Sequence, residues 1–214
     1  MKTRLLALTF ATVLVLALGF AGCAPSFNLT NPFSESHEWV GHGLPNLMQV
    51  GDRLYRGGQP SREGLKRLKE RGVKTVVNLR SSRGVKDREG EECQKLGMHY
   101  EQLRMPAFDN VPDSVIKRFF ELVENPDTSP VFIHCLTGTD RVAVLSAIYR
   151  IRYNKWSADK AYAEMKRTGF NQTFGQYRRF VYAFATKEQE RMARANGSAV
   201  VPKPGEAVKP VETP

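Results

Sequence analysis

The strongest constraint in this chain is a joint. The apolar, β-branched segment Pro130-Val131-Phe132-Ile133-His134 runs without a linker into Cys135-Leu136-Thr137-Gly138-Thr139-Asp140-Arg141, and then into a stretch holding Val142, Val144, Leu145, Ala147, Ile148 and Ile151. A buried strand feeding directly into a helix that is apolar on most sides is a joint of layered α/β proteins. In open sheets of that class ligands sit beyond the carboxyl ends of the strands. A short strand-to-helix loop at that edge turns its backbone N–H groups towards one point, and the helix dipole adds partial positive charge there. Residues 134–141 therefore read as an anion cradle sized for a phosphoryl group.

The side chains of the loop suit that use. A free thiol ionises at roughly pH 8.5, and a helix N-terminus with a neighbouring cation favours the thiolate, which is the nucleophile. Cys135 lies where both act. Arg141 returns over the loop after one turn and can grip two phosphate oxygens with a planar fork, which Lys cannot match. Gly138 permits close backbone approach. His134, Leu136, Thr137, Gly138, Thr139 and Asp140 form the substrate-binding frame around Cys135. A histidine at a strand end is often only a satisfied structural residue; beside Cys135 we read it as hydrogen-bonding within the loop.

The rest of the chain alternates strand and helix. Arg53–Arg56 is a short strand closed by Gly57-Gly58-Gln59-Pro60, and Ser61 caps a helix with Leu65 and Leu68 on one face, stopping at Gly72. Val73–Leu79 is a buried strand, Arg88–Leu96 a helix stopped by Gly97, and Met98–Leu103 another strand. Pro112 is expected as a first helical residue, followed by Ile116, Phe119, Phe120 and Val123 at helical spacing. Two further helices cover about Ser157–Thr168 and Gln176–Arg194. The expected fold is one α/β sandwich domain with a mostly parallel sheet flanked by helices.

His134-Cys135 followed by five residues and Arg141 matches the signature of the cysteine-dependent protein tyrosine and dual-specificity phosphatases. The resemblance extends to Leu54-Tyr55-Arg56-Gly57-Gly58-Gln59-Pro60, to Gly64-Leu65 and to Val73–Arg80, and covers about residues 48–185. These segments look like the compact dual-specificity phosphatases of bacteria, fungi and plants. The resemblance implies that Cys135 attacks phosphorus to give a cysteinyl-phosphate, that Arg141 steadies the transition state, and that water then releases phosphate without a metal or other cofactor. It also implies an Asp that protonates the leaving oxygen. Asp109 is preferred; Asp113 follows Pro112, where an acid in a first helical turn has a structural use, and Asp140 lies inside the loop. The chain departs from the family at Val142, where a Ser or Thr hydroxyl usually assists breakdown of the intermediate.

Other readings stay open. An inactive phosphate-binding module is the main rival, because of Val142, although a binder needs no thiolate. Rhodanese-like sulfur transfer fits Arg141 and His134 less well, and a thiol redox protein would call for a Cys-x-x-Cys that is absent. Arg62, Lys66, Arg67, Lys69 and Arg71 read as a solvated helix face. Arg80, at the end of a buried strand, either meets a second substrate phosphate or pairs with a carboxylate.

The ends set the location. Met1-Lys2-Thr3-Arg4 and the uncharged apolar run Leu5–Gly22 have the layout of a secretory signal. Leu18-Gly19-Phe20-Ala21-Gly22-Cys23 resembles the bacterial lipoprotein box, which implies lipidation of Cys23; cleaved soluble export and an uncleaved anchor are the alternative readings of the same run. The expected organisation is a signal peptide over 1–22, a lipidated tether over 23–45, a phosphatase domain over 46–195 and a Pro-rich disordered tail over 196–214. Such a chain would face the periplasm or exterior from a bacterial cell envelope. A formal charge of +10 suits anionic partners: phosphorylated protein, lipid or inositol phosphate, and a membrane through the N-terminal lipid. No nucleic-acid motif is present, and a monomer is expected. With Cys23 lipidated, Cys93 and Cys135 remain, and their pairing on oxidation would silence the enzyme.

Overall fold

The computed structural model describes residues 42–81, 88–107 and 109–196. The signal peptide, Cys23, most of the tether and the tail from 197 lie outside the described residues.

Five strands, β1 (Met48–Gly51), β2 (Leu54–Gly57), β3 (Thr75–Asn78), β4 (His99–Gln102) and β5 (Val131–His134), form one sheet in the order β1-β2-β5-β3-β4. β2, β5, β3 and β4 are parallel, and β1 adds an antiparallel edge. β3 and β5 are buried along their whole length, as centre strands covered on both faces must be. The expected single α/β domain with a mostly parallel sheet is what the chain forms. β1 was not foreseen: Met-Gln-Val-Gly is too short to show a period.

Six helices cover the sheet: α1 (Arg62–Glu70), α2 (Arg88–Lys95), α3 (Asp113–Glu124), α4 (Arg141–Asn154), α5 (Ala158–Arg167) and α6 (Gly175–Ala195). Strand alternation divides the core in two. Val77, Ile133, Cys135 and Leu54 face α3, α4, α5 and α6, whereas Val76 and Phe132 face Leu65 and Leu68 of α1 and Cys93 of α2. α4 is buried on most sides because α5 and α6 pack over it. Burial of these side chains contributes about 1.5–3 kcal/mol each, as an upper estimate.

Local signals account for most boundaries. Ser61 Oγ accepts from Gly64 N at 3.1 Å, so Ser61 caps α1 as expected. Gly72, at φ +81°, follows the end of that helix. Pro112 corrects the sequence reading: its ψ of 136° makes it the extended cap of α3 and not a helical residue. Leu44, inside the segment read as tether, is fully buried with Leu65 and Phe132, so packing starts ahead of residue 46. Asn196 belongs to the end of α6 and not to the tail, its N–H turning back to Met192 and Arg194 carbonyls.

Candidate active site

The parallel register brings four strand ends level. Gly57 pairs with His134, His134 with Asn78, and Asn78 with Gln102. The next residue of each strand starts a loop on the same edge, and Cys135 is the central one.

The cradle is built by tying down the outside of the loop. Leu136 O accepts from Gln59 N at 3.0 Å, Thr137 O from Asn46 Nδ2 at 2.8 Å, and Gly138 O from Arg56 Nη2 at 3.2 Å. In a trans peptide the C=O and the following N–H point oppositely, so anchoring three successive carbonyls outward turns the next three amides inward. One of them, Gly138 N, donates to Cys135 Sγ at 3.3 Å. Gly138 has φ +79°, and a Cβ there would stand 2.3 Å from Gly58 N. No other residue type can occupy both that conformation and that space.

Arg56 is the buried cation beneath the loop, 2% exposed. Burial pushes its guanidinium down to about 10, with Glu164 and Cys135 pulling the other way, so it stays charged at neutral pH. Arg141 opens α4, commits Nε to Met105 O at 2.9 Å and lies beside the Tyr177 hydroxyl; the planar fork of its terminal nitrogens suits an oxyanion. The same bond anchors the segment that carries Asp109. Tyr177 OH donates to Pro106 O and Gln176 Nε2 to Ala107 O, so three successive carbonyls, 105–107, are held by α4 and α6. Burial raises the Tyr177 hydroxyl to about 12, which keeps it a donor across the physiological range.

The three candidate acids separate. Asp109 is exposed on this segment, its Oδ1 accepting from Asn110 N at 2.7 Å. Asp113 lines a groove with Ile116 of α3 and Phe180 and Phe184 of α6, none of whose lining residues belongs to the loop. Asp140 is engaged on both oxygens, with Asn171 N at 2.8 Å and Thr139 Oγ at 3.1 Å, and so braces the α5–α6 connection against the loop. Arg80 Nη1 donates to Gln59 Oε1 at 2.7 Å, and among the described residues it forms no ion pair with a carboxylate. Leu136 is 59% exposed on the loop, the one large hydrophobic so exposed among the described residues. His134 bonds within the loop as expected, Nδ1 lying 3.1 Å from Cys135 O. Cys93 and Cys135 are both buried and are not bridged to each other. They sit in opposite cores, with the sheet between them, which removes the disulfide.

Sequence reasoning passed over Asn46, Gln176, Tyr177 and Glu89. The last accepts from Gln59 Nε2 at 2.8 Å and Asn78 Nδ2 at 3.0 Å and lies 3.1 Å from His134 Nε2. No local signal marks it in the charged run Arg88–Lys95. Among the described residues no group of His, Cys, Asp and Glu could hold a metal ion.

A strand-end cysteine in a loop of inward amides, six residues before an arginine that opens the next helix, defines the class of the cysteine-based phosphatases. Residues 35–182 match the family described as DSP-PTPase phosphatase fused to NAD+ kinase, and the chain belongs to that family. It is 30% identical over 126 residues to the dual specificity protein phosphatase TpbA of Pseudomonas aeruginosa (strain UCBPP-PA14), covering 58% of this chain and 55% of that protein. It is 27% identical over 157 residues to the inositol diphosphatase SIW14 of Saccharomyces cerevisiae, covering 71% of this chain and 55% of that protein. The chain thus spans about half the length of these relatives. The crystal structure of the SIW14 catalytic core superposes with a TM-score of 0.60 at 25% identity, covering 73% of this chain and 96% of that one. That of P. aeruginosa TpbA, at 24% identity and a TM-score of 0.54, shares the fold.

Proposed function

We propose that this chain is a phosphomonoester hydrolase that works through a cysteinyl-phosphate on a substrate outside the cytoplasm. The observation that carries the reading is the cradle itself: Cys135 Sγ accepts from Gly138 N at 3.3 Å inside a loop whose three successive carbonyls 136–138 are tied outward. A phosphoryl group entering it meets amides and the Arg141 fork while the thiolate attacks phosphorus. The P–S bond forms as the ester P–O bond breaks, and Asp109 protonates the departing oxygen. Water then attacks phosphorus, its proton passes to Asp109, and the P–S bond breaks to release phosphate and the thiolate.

The substrate reading follows from the loop's side chains. Residues 136–140 hold no cation and include Asp140, while Leu136 presents apolar surface. That combination favours a monoester with an aromatic or apolar group over a polyanion. The location reading is supported by the apolar run Leu5–Gly22 ahead of Cys23, whose layout is that of a lipid-anchored bacterial envelope protein.

The test is phosphate release by the full chain from aryl phosphate, phosphotyrosine peptide, phospholipid and inositol polyphosphate, with Cys135→Ser as control. Expected is Cys135-dependent release, fastest from the aryl esters. Val142 favours a second reading, a phosphate-binding module, and phosphate binding with no Cys135-dependent release from any substrate would establish it.

A further inference from the structure

We infer that Glu89 is a positioning residue for the Cys135 nucleophile, acting through His134. Glu89, in the first turn of α2, is the point where the elements behind the loop meet. Its Oε1 receives Gln59 Nε2 at 2.8 Å and its Oε2 receives Asn78 Nδ2 at 3.0 Å and Tyr100 OH at 3.3 Å. Two of the three donors, Gln59 and Asn78, belong to segments that shape the cradle. Gln59 holds Leu136 O through its backbone and Arg80 through its side chain, and Asn78 Oδ1 accepts from Arg80 N.

The remaining contact is the one that matters for chemistry. His134 is fully buried, and its two ring nitrogens face opposite ways: Nδ1 lies 3.1 Å from Cys135 O, and Nε2 lies 3.1 Å from Glu89 Oε1. The second contact has ion-pair distance but is off the line of a good hydrogen bond; a small rotation of ring or carboxylate closes it. A ring with an oxygen acceptor at each nitrogen is best satisfied when it donates from both. Its positive end then lies beside Cys135 and the balancing carboxylate one ring width further away, so the pair favours the thiolate. Among the described residues, Arg56 from β2 and Tyr177 from α6 also lie in electrostatic range of Cys135, and the remaining charged side chains of the loop are Arg141 and Asp140. None of them contacts the carboxylate of Glu89 among its hydrogen bonds and ion pairs given above.

This rests on Cys135 being the nucleophile, and alkylation tests it without any substrate. Glu89→Gln keeps the shape of the hub and removes the charge. Iodoacetamide should modify Cys135 about tenfold more slowly at pH 6 in this variant, with the rate at pH 9 within about twofold of the parent. A purely structural role would change both rates or neither. In a His134→Asn background the same substitution should change the pH 6 rate less than twofold, because the intermediary is gone. Equal rates for parent and Glu89→Gln at both pH values, or a tenfold loss that persists without His134, would overturn the inference. Absence of Cys135-dependent phosphate release with normal alkylation behaviour would instead overturn the phosphatase reading alone.

Discussion

Val142 is fully buried in the first turn of α4, directly after the arginine fork. In the mechanism proposed above, a hydroxyl at that position would help water displace the thiolate; a valine methyl has no proton or lone pair to offer. The first half-reaction does not need it. We therefore expect phosphoenzyme to accumulate, seen as a burst of aryl alcohol followed by a slower steady state. Val142→Thr is nearly isosteric and should raise the steady-state rate about tenfold with little effect on the burst. Equal steady-state rates in the two proteins would show that release does not depend on this side chain.

The Met105–Ala107 segment matters as an element because its backbone is fixed while Asp109 beyond it is exposed. An acid is most important when the leaving group is poor. Asp109→Asn should lower turnover of an alkyl phosphate about a hundredfold and that of an activated aryl phosphate much less. Tyr177→Phe loses the bond to Pro106 O and should show the same pattern more weakly, about fivefold on the alkyl ester. Comparing the two esters in stopped-flow measurements checks both variants.

These elements also show what sequence could and could not convey. The buried strand, the Ser61 cap and the order Cys135–Arg141 are properties of adjacent residues, so they were legible. The bonds that shape the cradle join residues far apart in the chain, Asn46 to Thr137 and Arg56 to Gly138. Nothing in either local sequence announces the partner. Glu89 was hidden for a further reason: in a run as polar as Arg-Glu-Gly-Glu-Glu, the partly buried glutamate looks like its solvated neighbours.

At the scale of the whole molecule, α6 is clamped to α4 by Glu188, 3% exposed, which pairs with Arg191 at 2.6 Å and Arg152 at 3.3 Å. Arg152 in turn lies 3.6 Å over the Phe120 ring of α3. Burial raises the carboxyl of Glu188, but the two arginines outweigh it and hold it below the usual range. A carboxyl depressed on folding stabilises above its unfolded pKa, and that stability is lost as pH falls through the folded value. Melting temperature should therefore fall below about pH 4. Glu188→Gln should start from a lower melting temperature at pH 7 and lose less of it on acidification. Thermal melts across pH 3–7 measure this.

The separation of the two cores by the sheet has a consequence wherever the chain meets oxidants. A nucleophilic thiolate is also the group that peroxide attacks first, giving a sulfenic acid. Cys93 is sealed on the far side of Val76 and Phe132 and cannot condense with it. The sulfenate must then be rescued by a small thiol from solution or go on to the sulfinic acid, so the protection of Cys135 depends on what the surroundings supply.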